Sequence, residues 1–218
     1  MAKNKTHPQL IEIIKEKVKP YYKDLGGHGF DHIERVYNLA LTLAKNENDV
    51  DLDVIKLSCL LHDVARLKED NKECLDHSEE GAKMAQKMLE EEDFPQDKID
   101  HVKECIITHR YSKNRKPKTK EAKILQDADN LEALGAICIA RVFVYNGFHR
   151  LPIYDPNIEP DKEYYGQETT AINHFYEKIL KIKPETFHTT LAKKIAKERY
   201  NFIVTFLEQF KAEREGKK

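Results

Sequence analysis

The chain has no tryptophan, and its eight glycines and eight prolines make up only about 7% of 218 residues, against roughly 12% in an average protein. So few breakers leave few turns, which excludes a sandwich or barrel of many short strands and favours long helices. No run approaches the ~18 consecutive apolar residues of a membrane span; the longest, Ala133 to Ala140, stops at Arg141. The opening Met1-Ala2-Lys3-Asn4-Lys5 leads into an amphipathic segment with no signal-peptide apolar core. Excess charge is missing too: 37 lysines and arginines against 38 aspartates and glutamates give a net charge of −1. A chain so balanced is not expected to wrap nucleic acid or to lie on an anionic membrane. Its four cysteines (Cys59, Cys74, Cys105 and Cys138) are far apart with no C-x-x-C spacing, so neither a zinc knuckle nor a redox motif is written here. A reduced, cytoplasmic protein is the expectation.

What is present is helical periodicity, with 40% apolar residues to build a core and 34% charged residues to cover it. Leu10, Ile13, Ile14 and Val18 mark a first helix that stops before Pro20. Ile33, Val36, Tyr37, Ala40, Leu41 and Ala44 stripe a second, and Val54, Leu57, Leu60, Leu61 and Val64 a third. Ser78 is a candidate cap for a fourth, and Pro95 suits the first turn of a fifth. A sixth begins near Glu121, and Ala136 to Phe148 is apolar nearly all round, which predicts a central buried helix. After a long loop, Leu151 to Gly166, helices are expected at 168–181 and 190–211, the latter striped by Leu191, Ile195, Phe202, Ile203, Phe206 and Phe210. The aromatic periodicity from Thr190 suits either a homodimer contact or completion of the core. One all-α domain spanning 1–218, a helical bundle with a motif-bearing core of about 20–150, is the reading.

Ten histidines carry the chemistry. His62-Asp63 interrupts an apolar stretch, Leu-Ser-Cys-Leu-Leu-His-Asp-Val-Ala, where a carboxylate is costly unless paired or bound to a metal. His32 lies in line with Val36 and Leu39, and Asp129 is in register with Ala122, Leu125 and Glu132. Two imidazoles and two carboxylates are therefore expected to point inward from three helices. His28 competes with His32 at the i, i+4 spacing, and Asp127 competes with Asp129. A mixed nitrogen and oxygen set suits manganese, iron, nickel, cobalt, zinc or magnesium, and lacks the thiolates that select strongly for zinc.

The order His32, His62-Asp63, Asp129, with the wording His-Gly-Phe-Asp-His-Ile-Glu-Arg-Val at 28–36 and Gln-Asp-Ala-Asp-Asn-Leu at 126–131, resembles the H…HD…D signature of the HD-domain metal-dependent phosphohydrolases. The likeness covers residues 20 to 150, and it is similar to small bacterial members, some of which are nucleotide pyrophosphohydrolases. The resemblance implies an all-α fold and one divalent ion on His32, His62, Asp63 and Asp129. Asp63 would also orient the attacking water. It makes Asp127 an outer acceptor and His28 a pocket residue. It further implies a nucleotide substrate, preferably a nucleoside or deoxynucleoside triphosphate cleaved to monophosphate and pyrophosphate. The alternatives are a monophosphate phosphatase, an alarmone hydrolase, or a non-catalytic module that senses nucleotide.

Around that core, His77 and His109 are expected to contact phosphate or leaving group, with His109 or His77 as general acid, to complete a second metal site, or to serve the structure alone. The second reading is weakened because Arg110 stands where such sites carry another histidine. Arg66, Lys68, Arg110 and Arg141 are the cations expected to meet phosphate, although Lys68 also suits a salt bridge and Arg141 a pairing with Glu132. Glu69 and Asp70 suit acid-base help or, more simply, an exposed helix end. The basic run from Lys113 to Lys120 lacks interleaved aromatics, so a solvated loop is expected rather than a nucleic-acid surface. Tyr154 and Tyr165, in the long loop, suit either base stacking or anchoring of the loop.

Overall fold

The computed structural model describes residues 7–22, 29–110, 113, 115–162 and 169–218. Among these residues every regular element is a helix, so the protein is all-α, as the scarcity of breakers implies. The chain divides into two compact units, Met1–Asp129 and Asn130–Lys218.

The first unit contains α1 (His7–Val18), α2 (Phe30–Ala44), α3 (Leu52–Leu61), α4 (Arg66–Asp70), α5 (His77–Glu90), α6 (Gln96–Thr108) and most of α7 (Lys120–Glu132). Its centre is α3, which packs against α1, α2, α5 and α6. Val54, Ile55, Leu57, Ser58, Cys59, Leu60 and Leu61 are all buried along it. Asp51 starts this helix by accepting the N–H groups of Asp53 and Val54. The helix does not continue through Val64, as the hydrophobic stripe had suggested. It ends at Leu61, and the backbone tightens into three-residue bonds, Val64 to Leu61 and Arg66 to Asp63. That turn carries His62 and Asp63 between two helices.

Helices α5 and α6 form the other main contact of this unit. The cap of α5 is Asp76 rather than Ser78, because the helix starts at His77 and the Asp76 side chain accepts the Ser78 N–H at 3.0 Å and its hydroxyl at 2.7 Å. Pro95 stands just before α6, at the N-cap.

The second unit holds α8 (Gly135–Phe148), α9 (Ala171–Glu177) and α10 (Thr190–Arg214), with α8 packed on α9 and α10. Gly135 opens α8 at φ +85°, and a Cβ there would come within 3.0 Å of the Arg199 side chain; glycine is required on both counts. Arg199 in turn donates to the Leu131 carbonyl at 2.6 Å. The rings of Phe143, Phe175, Phe206 and Phe210 form an aromatic cluster, with successive centroids 6.0 to 6.4 Å apart, in which Phe175 is buried and the others half-buried. Two expectations need correction here. Helix α8 is not buried all round: Val144 is 59% and Phe148 60% exposed, and its buried residues are Gly135, Cys138, Val142 and Asn146. On α10, Phe202 faces out while Leu207 is buried.

The expected helix at 168–181 is shorter, α9 followed by a 3-10 turn at Ile179–Lys181. Its first N–H groups are taken by the long loop, Ala171 to the Pro152 carbonyl and Ile172 to that of Ile153. Tyr154 lies against Phe210, with the Arg214 guanidinium 4.2 Å from its ring centroid, the anchoring arrangement. No single helix among the described residues is long and apolar enough to cross a membrane.

Candidate metal centre

Each ring of the site is placed by a helix end. His32 is the third residue of α2, with its N–H bonded to the Gly29 carbonyl at 3.0 Å. His62 follows the last residue of α3, and its Nδ1 donates to the Cys59 carbonyl at 2.8 Å, one of the acceptors that a helix end leaves open. His109 repeats the device at the end of α6, donating from Nδ1 to the Ile106 carbonyl at 2.6 Å. Because a carbonyl can only accept, both rings carry hydrogen on Nδ1, and Nε2 is the atom turned to the site.

Two groups of three side chains result, each with its ligand atoms mutually within 4.8 Å: His32, His62 and Asp129, and Asp63, His77 and His109. In the first, Asp129 Oδ1 lies 3.5 Å from His32 Nε2 and 3.9 Å from His62 Nε2. Asp63 Oδ2 adds to it at 3.9 Å from His32 Nε2 and 3.7 Å from His62 Nε2. Asp129, not Asp127, brings a carboxylate to these rings. In the second group, Asp63 Oδ1 is 3.1 Å from His77 Nε2 and 3.5 Å from His109 Nε2.

These spacings fit a cation. Two donors each about 2.1 Å from one ion stand roughly 3.0 Å apart at a right angle and roughly 3.4 Å apart in a tetrahedron. The four distances, 3.5 to 3.9 Å, are at or beyond hydrogen-bond length and a few tenths of an ångström wider than that range, within reach of an ion that draws its ligands in. His62 Nε2 is buried with no hydrogen-bond partner, a costly arrangement unless something else binds it. Burial also lowers the His62 pKa to about 4, so the ring is neutral, as a ligand must be. Burial alone would raise the Asp129 carboxyl, but the imidazoles that face it, His32 first, hold it well below the usual range. For His77, burial opposes the charged ring, yet Asp63 and then Glu69 outweigh it and raise the pKa.

The cations are more committed than their sequence positions implied. Lys68 pairs with Glu80 at 2.8 Å. Arg110 pairs with Glu69 at 2.8 Å and Asp76 at 3.4 Å. Arg66 contacts Asp70 at 3.3 Å; burial opposes its charge, but Asp63 heads the carboxylates that stabilise it. Arg141 belongs to the second unit, where it donates to the Glu132 backbone carbonyl at 3.4 Å. The basic run is not simply solvated, because Arg115 reaches Ser78 Oγ at 3.1 Å, the Ile107 carbonyl at 3.2 Å and Asp76 at 3.2 Å. His28 and Tyr165 lie outside the described residues.

Sequence reasoning preferred an exposed helix end for Glu69, and the structure places it elsewhere. Its carboxylate accepts from His77 Nδ1 and from Arg110 and is only 20% exposed, so it is not a solvated helix end. Burial pushes that carboxyl up, but the His77 and Arg110 hydrogen bonds bring it to about 2. The signal available in the sequence was a carboxylate eight residues before a histidine, which no helical or strand period connects.

A helical unit that gathers a histidine, a His-Asp pair and a later aspartate defines the HD-domain class. The HD-domain family profile matches residues 29–134. The protein YpgQ of Bacillus subtilis strain 168 is 31% identical over 195 residues, covering 87% of this chain and 86% of that protein. A crystal structure described as an HD-superfamily hydrolase, from Bacillus thuringiensis, superposes with a TM-score of 0.75 at 36% identity, covering 96% of this chain and 99% of that one. A Lactobacillus plantarum structure superposes at 0.78 and 31%, covering 99% and 100%. YpgQ itself was crystallised in complex with ADP, and that structure superposes at 0.71 and 25%, covering 95% and 100%. The chain belongs to the HD-domain superfamily.

Proposed function

We propose that the protein is a divalent-metal-dependent phosphohydrolase of nucleotides that cleaves a nucleoside or deoxynucleoside triphosphate to the monophosphate and pyrophosphate. The observation that carries this reading is the convergence of His32, His62, Asp63 and Asp129 at cation-ligand spacing. The ADP bound to YpgQ supports a nucleotide as substrate. His32, His62, Asp63 and Asp129 would hold a divalent ion, which when bound would supply positive charge for phosphate oxygens and lower the pKa of water.

The chain's own residues do the rest. Asp63 presents Oδ2 to the first group and keeps Oδ1 toward His77 and His109, an arrangement that orients a water for attack on phosphorus. His77, whose pKa is raised, holds a proton for the leaving oxygen, and His109 stands beside it with ring centroids 5.4 Å apart. Arg66 contributes charge next to Asp63. A second ion on Asp63, His77 and His109 is the other use of that group. The four free cysteines, three of them buried, suit a reducing compartment, the cytoplasm.

A panel of nucleotides with manganese, magnesium, nickel and cobalt tests the reading through both phosphate products. Pyrophosphate and monophosphate in equal amounts are expected. Orthophosphate released from monophosphates alone would make the protein a phosphatase. Nucleotide binding without turnover under every metal would make it a sensor.

A further inference from the structure

Glu69 is a carboxylate beside the site that the reaction scheme leaves unused. Its two oxygens are divided between partners: Oε1 accepts from Arg110 Nη1 at 2.8 Å and Oε2 from His77 Nδ1. Arg110 also reaches Asp76 Oδ1 at 3.4 Å, and Asp76 caps the helix whose first residue is His77. Asp76, Arg110, Glu69, His77 and Asp63 thus form one unbroken chain of polar contacts, drawn from α4, α5, the turn after α3 and the segment after α6. His62 and His109 each anchor Nδ1 on a main-chain carbonyl three residues back. That device is not used by His77, at the start of its helix, and its anchor is a side chain from another element.

We propose that Glu69 is the positioning residue for His77: it holds hydrogen on Nδ1 and aims Nε2 at Asp63 Oδ1, 3.1 Å away, while Arg110 holds Glu69. The geometric reason is that a carboxylate between a guanidinium and a ring N–H has one orientation that satisfies both donors. Without it the ring can rotate about χ2 and exchange its two nitrogens. The catalytic consequence rests on the phosphohydrolase reading; the consequence for the ring does not.

The test uses the full-length protein labelled with 15N in histidine, in two variants of matched size. Glu69→Met removes the acceptor, and Glu69→Gln keeps an oxygen that can accept. Long-range 1H–15N correlation of His77 is expected to show hydrogen on Nδ1 in the wild type and in Glu69→Gln, and a mixture of tautomers in Glu69→Met. In turnover, Glu69→Met is expected to lower kcat by about 10- to 100-fold with KM within about twofold, and Glu69→Gln to recover most of the loss. His77 signals and kcat that are unchanged in Glu69→Met would overturn the proposal and leave the phosphohydrolase reading intact. Absence of turnover in the wild type would sink that reading and leave the ring measurement to judge Glu69. Should Glu69→Met fail to fold, the wild type still decides, because a neutral His77 carrying hydrogen on Nε2 alone overturns the assignment.

Discussion

Asp63 Oδ1 lies 3.1 Å from His77 Nε2, while Oδ2 of the same carboxylate lies 3.7 Å from His62 Nε2. One side chain therefore faces both groups of candidate ligands, and its loss is felt by both. Asp63→Ala is expected to reduce metal content, measured by inductively coupled plasma mass spectrometry, from about one ion per chain to near zero. Turnover should fall on the order of 1000-fold or more, since binding and water orientation are lost together. The circular dichroism spectrum should stay helical. Turnover that survives the substitution would remove Asp63 from the reaction.

Stability near the site depends on a second aspartate. Burial pushes the Asp76 carboxyl up, but the Ser78 hydroxyl and N–H, with the charges of Arg115 and Lys113, bring it down to about 2, against about 3.9 in an unfolded chain. The folded value is the lower one, so this stabilisation is fully present above about pH 4 and fades as pH falls toward 2. Asp76→Asn is expected to lower the free energy of unfolding by about 2 kcal/mol at pH 7, with the gap narrowed by pH 3. Urea titrations at both pH values measure it. A gap that stays constant across that range would assign the effect to the helix cap alone.

The all-α architecture and the four motif side chains were legible because both are written in local terms, as helical spacing and as a fixed order of His, His-Asp and Asp. What was not legible depends on which element lies next to which. Residues 54–61 and 136–148 are both apolar, and hydropathy alone chose the wrong one as the buried centre; α3 is enclosed by four helices, whereas α8 leaves Val144 and Phe148 exposed. On α10 Phe202, expected in the inward stripe, faces out, and Leu207, outside that stripe, is buried, since a stripe of mixed apolar residues admits more than one inward direction. Ser78 was displaced as cap by Asp76 because the helix starts one residue before the serine. Glu69 was read first as an exposed helix end because a turn, not a period, carries it to His77. Arg110 and Lys68 were read as phosphate contacts, Lys68 with a salt bridge as its alternative, and Arg115 as part of a solvated loop; each found a carboxylate that only tertiary structure brings near.

The exchange between α3 and α8 can be checked by truncation. Leu57 is completely buried, so Leu57→Ala is expected to cost about 2–5 kcal/mol through lost transfer energy and a cavity. Val144, 59% exposed, should tolerate Val144→Ala within about 0.5 kcal/mol. Equal losses in denaturant titrations would mean that α8 is covered in solution.

Metal binding separates the two neighbouring aspartates of α7. Asp129 Oδ1 lies 3.5 Å from His32 Nε2, whereas Asp127 is fully buried and belongs to neither ligand group. A ligand that binds only the folded state stabilises it by about 2.7 kcal/mol at 100 times its Kd, which for a chain of this size raises Tm by roughly 5–10 °C. Manganese at that excess is expected to produce such a rise in the wild type, reversed by EDTA. Asp129→Asn should erase the rise. Asp127→Asn, which disturbs a buried carboxylate, should lower Tm in the absence of metal and yet keep the manganese-dependent increment. Differential scanning calorimetry with and without metal measures both quantities in one series. Loss of the increment in Asp127→Asn, with Asp129→Asn still responding, would transfer the ligand role to the first aspartate of the pair.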